Sequence, residues 1–276
     1  MPEGHTLFRI ARELNSHFAG REVRVCSPQG RFADSAALLD RAQLECAESA
    51  GKHLFIKFSN GHLVHIHLGL IGRLDFHPLA DPVGEVRLRI HDGRTAADLR
   101  AATVCELVTE GGRQAVLARL GPDPLRPGAD PQPAWDRIRR SDRPVGELLL
   151  DQKVLAGVGN VYRAEVLFRN RIHPLRSGKS LTRRQFLQLW DDLVLLMNEG
   201  VRLGRIDTVR PEHTPEMMGR PPRVDDHGGE VYVYRRNGQE CWICGGRIRT
   251  EQLAGRNSFW CPRCQRRPRT RQPELG

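Results

Sequence analysis

The chain has 276 residues, of which 43 are Lys or Arg and 33 are Asp or Glu, so its formal net charge is +10. This surplus of positive charge points to a polyanionic partner. With 39% hydrophobic and 28% charged residues, the composition is that of a globular protein and excludes wholesale disorder and a collagen-like repeat. There is no apolar run of the ~20 residues that a membrane helix needs and no signal-peptide pattern, so we expect a cytoplasmic protein.

The first part of the chain is predicted to be one β-rich domain, residues 1–120. It opens with an amphipathic helix that starts near Gly4, because apolar residues recur at helical spacing up to Phe18 and Gly20 is placed to end the helix. Residues 22–118 are predicted to form short strands, of which 61–68 is the clearest, since aliphatic residues and histidines alternate there.

A proline-rich linker is predicted at residues 121–134, because its five prolines suit neither a helix nor a central strand. Residues 135–230 are then predicted to be mostly helical. The helical patterns cover roughly 134–140, 145–155, 160–170 and 182–199, the last ending at Gly200. Within this domain, residues 207–230 are rich in Pro, Gly, Asp and Arg, which favours a mobile loop that carries function. The last unit is 231–267, followed by a basic tail, 268–276.

Four cysteines near the C-terminus form two CxxC pairs, Cys241 with Cys244 and Cys261 with Cys264, separated by 16 residues. A single CxxC can be a redox pair, but two pairs at this spacing favour a zinc ribbon with four thiolate ligands. Protein sulfur fills all four positions, so we expect one structural Zn²⁺ ion. The other cysteines, at 26, 46 and 105, are predicted to be buried, inert thiols.

Positive charge is concentrated in the last 42 residues, which hold ten Arg, no Lys and three Glu, a net of +7. A zinc ribbon would hold Arg247, Arg249 and Arg256 on a hairpin against DNA or RNA. The run from Arg266 to Arg271, taken alone, is better explained as a solvated tail, since prolines interrupt it.

The run Gly157-Val158-Gly159-Asn160 lies between two predicted helices. Its bare backbone amides at the positive end of the second helix suit a phosphate, and Asn160 suits an N-cap or a direct phosphate donor. The alternative is an ordinary tight turn. The neighbouring Arg-rich ribbon favours the phosphate interpretation.

The first residues of the chain allow an unusual chemistry. Removal of Met1 would expose the secondary amine of Pro2, which can attack an aldehyde carbon to give a cationic iminium. Glu3 is placed to donate a proton to an opening sugar ring, provided that burial raises its pKa against the effect of the helix end. Taken alone, Met-Pro-Glu is more often a plain chain start.

Three further residues are candidates with ordinary alternatives. Lys52, before a strand, is either a surface charge or a cation directed at a phosphate or reaction centre. His65 and His67 share one strand face and are solvent-facing, hydrogen-bonded, phosphate contacts or, least favoured, metal ligands. Leu70, in a Gly-rich turn, is either core or a wedge for a base stack.

These motifs occur together in one family. Over essentially its whole length the chain resembles the bacterial DNA glycosylases of the formamidopyrimidine-DNA glycosylase and endonuclease VIII family, and it is most similar to the actinobacterial type of the endonuclease VIII branch. The matching motifs appear in order: Pro2-Glu3, Lys52, the run 157–160, and the ribbon segment 255–261. The resemblance implies an α+β multidomain fold with an N-terminal β-sandwich and flanking helices, a helix–two-turn–helix domain and a C-terminal zinc finger.

The resemblance also implies roles for individual residues. Pro2 would be the nucleophile, Glu3 the acid and Lys52 a cation near the reacting sugar. His67, Asn160 and Arg256 would contact phosphates, and Leu70 would fill the stack left by an extruded base. The implied activity is excision of oxidised bases from double-stranded DNA, followed by strand nicking through β,δ-elimination, by a monomeric repair enzyme that also accepts abasic sites.

One segment departs from the formamidopyrimidine branch. That branch carries an Asp-Pro-Arg-Arg-Phe-Gly run, whereas residues 98–103 here read Asp-Leu-Arg-Ala-Ala-Thr and lack the Phe. The departure favours oxidised pyrimidines over 8-oxoguanine paired with cytosine. A rival hypothesis is a non-catalytic protein that binds damaged or single-stranded DNA on the same scaffold, with Pro2 inert. A tautomerase based on Pro2 would leave the zinc ribbon unexplained.

Overall fold

The computed structural model describes residues 2–224 and 229–267. The chain forms two compact units, Met1–Leu125 and Arg126–Gly276. The division between them falls inside the proline-rich segment 121–134. No helix within the described ranges combines the length and apolar character needed to cross a membrane.

The first unit contains two antiparallel sheets. Five strands form one sheet in the order β1-β3-β4-β5-β9, and four form the other in the order β2-β7-β8-β6. The strands are β1 (Arg21–Glu22), β2 (Arg24–Cys26), β3 (Gln43–Ala50), β4 (His53–Phe58), β5 (Leu63–His67), β6 (Arg73–Pro78), β7 (Leu88–His91), β8 (Thr95–Arg100) and β9 (Val104–Val108). The two sheets share one buried apolar cluster, which makes this unit the expected β-sandwich.

Helix α1 (Gly4–Phe18) closes one side of that cluster. The apolar residues that predicted it are all buried, and Gly20, at φ +76°, follows its end. The prediction of strands throughout 22–118 is wrong at two places, where α2 (Ala33–Leu39) and α3 (Glu110–Leu117) form instead. Local periodicity does not reveal why α3 forms. Val116 and Leu117 on this helix pack against a second small core that contains Phe55 and Leu63.

The buried-thiol prediction holds for Cys105 but is wrong for Cys26, which is exposed. Strand β2 alternates, so Val25 points into the core and Cys26 points out. Cys46 is partly buried.

The second unit is mainly helical up to its ribbon. Its helices are α4 (Gln132–Ile138), α5 (Val145–Leu148), α6 (Asn160–Arg169), α7 (Arg183–Leu203) and α8 (Pro215–Met218). Two predicted ends are wrong. Helix α5 stops at Leu148 rather than continuing to 155, and α7 passes through Gly200, because the residue that adopts the left-handed capping conformation is Gly204, at φ +72°.

The described part of segment 207–230 is held to residues 230–234. Thr208 N–H donates to Glu230 O (2.8 Å), Arg210 N–H donates to the Tyr232 hydroxyl (2.9 Å), and Arg223 Nη2 donates to Tyr234 O (3.2 Å). The ribbon then contributes the hairpin β10 (Arg249–Leu253) and β11 (Arg256–Trp260). The predicted basic tail, 268–276, and residues 225–228 lie outside the described residues.

Candidate active site and zinc centre

Pro2 and Glu3 lead directly into α1. Pro2 is half-buried, and Glu3, the N-cap of the helix, has no exposed surface. Glu3 N–H donates to Thr6 Oγ1 (3.4 Å), and Thr6 N–H donates to the Glu3 carbonyl (2.9 Å). The burial that an acid role for Glu3 requires is therefore present, in opposition to the positive helix end.

The direction of α1 on the sheet decides what lies near this N-terminus. Gly20 N–H donates to Leu44 O (2.8 Å), and the Asn15 amide exchanges hydrogen bonds with the Ala47 backbone at 2.7 and 2.8 Å. The helix therefore runs antiparallel to β3. From Asn15 back to its start α1 rises about 16 Å at 1.5 Å per residue, and from Ala47 forward to Lys52 an extended chain covers a similar ~16 Å. The N-terminal residues thus lie at the same end of the sheet as Lys52.

Lys52 is half-buried in the tight turn between β3 and β4. Gly51, at φ +57°, makes this turn, and its N–H donates to Asp123 Oδ2 (2.8 Å). Asp123 is itself buried and also accepts from Leu125 N–H (2.9 Å). Sequence reasoning missed Asp123, which stood among the linker prolines, although it holds the turn that presents Lys52.

His67 lies at the same end, opposite His53 in the register of β4 and β5. Gly69 N–H donates to His67 Nδ1 (3.1 Å). Burial, followed by the charge of Lys52 and the nearby His65, lowers the pKa of His67. The structure therefore places Lys52 and His67 at the same end of the sheet. His65 is the buried, hydrogen-bonded alternative, bonded to His53 and Glu106.

The loop after β5 presents two apolar side chains to solvent. Leu70 is 58% exposed and Ile71 is 79% exposed. The flanking glycines are required, because a Cβ at Gly69 would lie 1.9 Å from Thr103 Oγ1 and a Cβ at Gly72 would lie 2.2 Å from Leu68 O. Leu70 is thus not core, and Ile71, which the sequence did not single out, projects beside it.

In the second unit, the side chain of Gln152 holds the Gly157–Asn160 turn by hydrogen bonds. Gln152 accepts from Gly157 N–H (2.9 Å) and donates to Val158 O (2.9 Å). The N-cap of α6 is Gly159, so the prediction of Asn160 as N-cap is wrong, and Asn160 is the first helical residue. Gly159 caps the helix in an extended conformation and has no side chain to occupy the cap, so the Asn160 amide is directed elsewhere.

Asn160 is directed at the ribbon. Its amide is buried and donates to Asn257 O (3.1 Å). Arg163, one turn further along α6 and fully buried, donates to the same carbonyl (2.9 Å) and to Asn160 Oδ1. The neighbour of Asn257 is Arg256, half-buried at the start of β11. Asn160 and Arg163 therefore both bond to the residue that follows Arg256, and sequence reasoning missed Arg163.

The four ribbon cysteines converge on one point, and their sulfur atoms all lie within 4.8 Å of one another. Cys241 Sγ is 3.8 Å from Cys264 Sγ, and Cys244 Sγ is 3.4 Å from Cys261 Sγ. Tetrahedral zinc with Zn–S bonds of about 2.3 Å requires sulfur separations of about 3.8 Å. The cysteines therefore fit one Zn²⁺ ion with no position left for a substrate, and in the described residues no other His, Cys, Asp and Glu cluster of this kind occurs.

The zinc knuckles also organise the surrounding arginines. Arg247 and Arg249 are exposed at the start of the hairpin. Trp242, between the first two cysteines, lies 3.5 Å from the Arg236 guanidinium carbon and 4.2 Å from that of Arg220, measured to the ring centroid. The cation–π contact of Arg220 attaches segment 207–224 to the metal knuckle, and that of Arg236 attaches the chain just before the ribbon.

Comparisons with known proteins agree with this arrangement. Residues 1–104 match the formamidopyrimidine-DNA glycosylase N-terminal domain, 120–211 the H2TH domain of the same enzymes, and 238–267 the zinc finger found in FPG and IleRS. The chain is 52% identical over 271 residues to Endonuclease 8 1 of Mycobacterium tuberculosis, covering 96% of this chain and 100% of that protein. The chain belongs to the formamidopyrimidine-DNA glycosylase and endonuclease VIII family.

Other members of this DNA repair family are more distant. The formamidopyrimidine-DNA glycosylase of Bacillus anthracis is 30% identical over 282 residues, covering 97% of this chain and all of the relative. The Lactococcus lactis Fpg in complex with DNA containing an abasic site has a TM-score of 0.77 at 21% identity, over 96% of this chain and all of that one. This likeness confirms the predicted fold, and the family membership confirms the predicted zinc finger.

Proposed function

We propose that this glycosylase-family chain is bifunctional: it excises oxidised bases from double-stranded DNA and then cleaves the strand at the abasic site. The observation that carries the proposal is the placement of Pro2 and Glu3, before α1, at the end of the sheet that also holds Lys52 and His67. A protein that only binds DNA needs phosphate contacts but has no use for an N-terminal secondary amine.

A base inside a duplex must leave the stack before its sugar can react. Leu70 and the adjacent Ile71, both exposed at the β5–β6 loop, suit the gap that an extruded nucleotide leaves. His67, Asn160 and Arg256 would contact the phosphates around that nucleotide. Damaged bases cost less to unstack, which contributes to selectivity.

Covalent catalysis would begin at Pro2. Once Met1 is removed, the Pro2 nitrogen attacks C1′ of the damaged nucleotide as the base departs with the electron pair of the glycosidic bond. The proton that the Pro2 nitrogen loses balances the proton that the departing base takes up. Glu3 gives a proton to the ring oxygen, the sugar opens and a cationic iminium joins Pro2 to C1′. The positive charge of Lys52 at the same end of the sheet suits the surrounding phosphates.

Strand cleavage follows from the electron demand of the iminium. The iminium acidifies the C2′ proton, whose loss expels the 3′ phosphate, and a second elimination expels the 5′ phosphate. The expected product is a one-nucleotide gap with phosphate ends. The Phe-less segment 98–103 favours oxidised pyrimidines such as thymine glycol.

Borohydride trapping tests the proposal. The native protein, Pro2→Thr and the control Pro82→Thr, at an exposed loop position, are incubated with oligonucleotides that contain an abasic site, thymine glycol or 8-oxoguanine. Before the reaction, each protein is checked by mass spectrometry for removal of Met1.

We expect native protein and Pro82→Thr to trap the abasic and thymine-glycol strands covalently, while Pro2→Thr traps neither. If the native protein with a free Pro2 binds DNA and traps nothing, the chain is a DNA-binding protein and the catalytic proposal falls. Trapping on 8-oxoguanine in preference to thymine glycol would refute the pyrimidine preference alone.

A further inference from the structure

Three histidines lie together on two neighbouring strands beside Lys52. His53 opens β4, and His65 and His67 lie on β5, with His53 opposite His67 in the register. The ring centroids of His53 lie 5.2 Å from His65 and 5.1 Å from His67. Only His67 has a role in the proposed function, so the other two rings require an explanation.

The hydrogen bonds of this group determine which ring nitrogen of His65 and of His53 carries the proton. Glu106 Oε1 lies 3.2 Å from His65 Nδ1, and because a carboxylate only accepts, His65 carries a proton on Nδ1. In a neutral ring, His65 Nε2 must then accept. His53 Nδ1 lies 2.9 Å from that atom, so His53 also carries its proton on Nδ1 and leaves its Nε2 bare.

His67 is held in the opposite tautomer. A backbone N–H only donates, so the bond from Gly69 N–H requires an unprotonated Nδ1 on His67 and places the proton on Nε2. Burial lowers the pKa of His53 to about 4, with His67, His65 and Arg119 acting in the same direction. His53 is therefore neutral at pH 7, and the pKa of His67 is lowered as well.

Charged and aromatic side chains border the group. Phe55 packs on His65 with ring centroids 4.9 Å apart, and Arg113, paired with Glu48 and Glu110, lies over the Phe55 ring. Lys52 acts on His67. Glu106 is the carboxylate that bonds to the histidine group.

We propose that Glu106, His65 and His53 form a hydrogen-bonded chain that fixes His53 as a positioning residue for His67, so that the Nε2–H of His67 stays aimed as a donor to a DNA phosphate. The inference rests on the proposed function, which assigns that contact to His67. A ring fixed by the chain limits rotation of its neighbour, and a preorganised donor loses less entropy on binding.

The tautomers can be measured without DNA. Histidine ¹⁵N chemical shifts and long-range ¹H–¹⁵N couplings of the full-length zinc-loaded protein distinguish protonated from bare ring nitrogens. His91 and His173 serve as internal references, because their Nδ1 atoms accept from Gly93 N–H (3.3 Å) and Leu175 N–H (3.2 Å). We expect Nδ1–H for His53 and His65, and Nε2–H for His67. A doubly protonated His65 with His53 protonated on Nε2 would overturn the chain.

Variants test the consequence for DNA. His65→Phe keeps an aromatic ring against Phe55 and removes both hydrogen bonds. Glu106→Ala is the second variant, used if the first folds poorly; it removes only the carboxylate that accepts from His65, and the Glu106 side chain is 58% exposed. We expect the proton of His53 to move to Nε2, and the Kd for a duplex with a tetrahydrofuran abasic analogue to rise about fivefold, the size of one net hydrogen bond. His91→Phe should change neither.

A double-mutant cycle isolates the positioning effect. If His65 acts through His67, then His65→Phe should weaken binding in the native background but not in His67→Ala. Single-turnover rates at saturating protein should stay unchanged, because a phosphate contact made equally before and during the reaction affects KM and not kcat.

Fold-changes that simply multiply in the cycle would overturn the positioning role. If the proposed function fails in the trapping experiment, the tautomers and the cycle on DNA binding still decide this inference separately.

Discussion

Glu165 offers the sharpest test of how the second unit is held together. It lies on α6 with no exposed surface, and its carboxylate accepts four hydrogen bonds. Three come from successive backbone N–H groups, those of Tyr232 (2.7 Å), Val233 (2.8 Å) and Tyr234 (2.8 Å), and one from the Thr208 hydroxyl (2.6 Å). One side chain thus fixes the turn at residues 232–234 that leads into the zinc ribbon.

Replacement by Ala leaves three backbone donors buried without an acceptor. Each such group costs about 1–3 kcal/mol. Even at the low end, with water entering the space left by the side chain, the loss is about 3 kcal/mol, a large share of the ~5–15 kcal/mol that stabilises a typical domain. At about 2–4 °C per kcal/mol, the melting temperature of this unit should fall by about 6–12 °C.

The assay is thermal and urea unfolding of the zinc-loaded Glu165→Ala protein, together with amide exchange of residues 230–236. Glu199→Ala is the matched control, because Glu199 is an exposed helical carboxylate paired with Arg202, and it should change stability by less than about 0.5 kcal/mol. If Glu165→Ala stays within that margin and exchange at 232–234 is unaltered, the reasoning about buried donors is refuted.

Three further predictions follow from single features of the molecule. Cys261→Ser or chelation should remove the one zinc ion, measured by metal analysis, and abolish DNA binding, while the β-sheet signal of the first unit remains. Burial lowers the pKa of both His5 and His53 to about 4. Because these folded-state pKa values lie below the unfolded value of ~6.5, the stability that the two neutral histidines contribute is complete above that pH and is lost as pH falls towards 4. The urea midpoint of unfolding should therefore drop between pH 7 and 5, and it should drop less in His53→Phe. Arg256→Ala should reduce the salt slope of DNA binding by about one, and a slope equal to that of native protein would remove Arg256 from the phosphate contacts.

Features that depend on local pattern were predictable from the sequence. The apolar residues of α1 and the spacing of the four cysteines each specify a local arrangement with one physical solution, an amphipathic helix on a core and a tetrahedral thiolate site. Other elements needed the tertiary structure. Helix α3 exists where strands were predicted, with the partly buried Val116 and Leu117 packed on a small core, and Gly200 lies buried inside α7. In both places contacts with distant residues outweigh local propensity.

For the candidate site, the sequence identified residue types and order, while the tertiary structure decided which residues meet. Pro2 and Lys52 were recognisable one by one, yet only the antiparallel packing of α1 on β3 brings their ends together. Asp123, Arg163 and Glu165 carry no motif at all, because a buried polar side chain is defined by partners that lie far away in sequence. Motifs made of neighbouring residues can be identified from the sequence. The hydrogen-bond partners of a buried polar group depend on the tertiary structure, since every such group needs a partner wherever the fold places it.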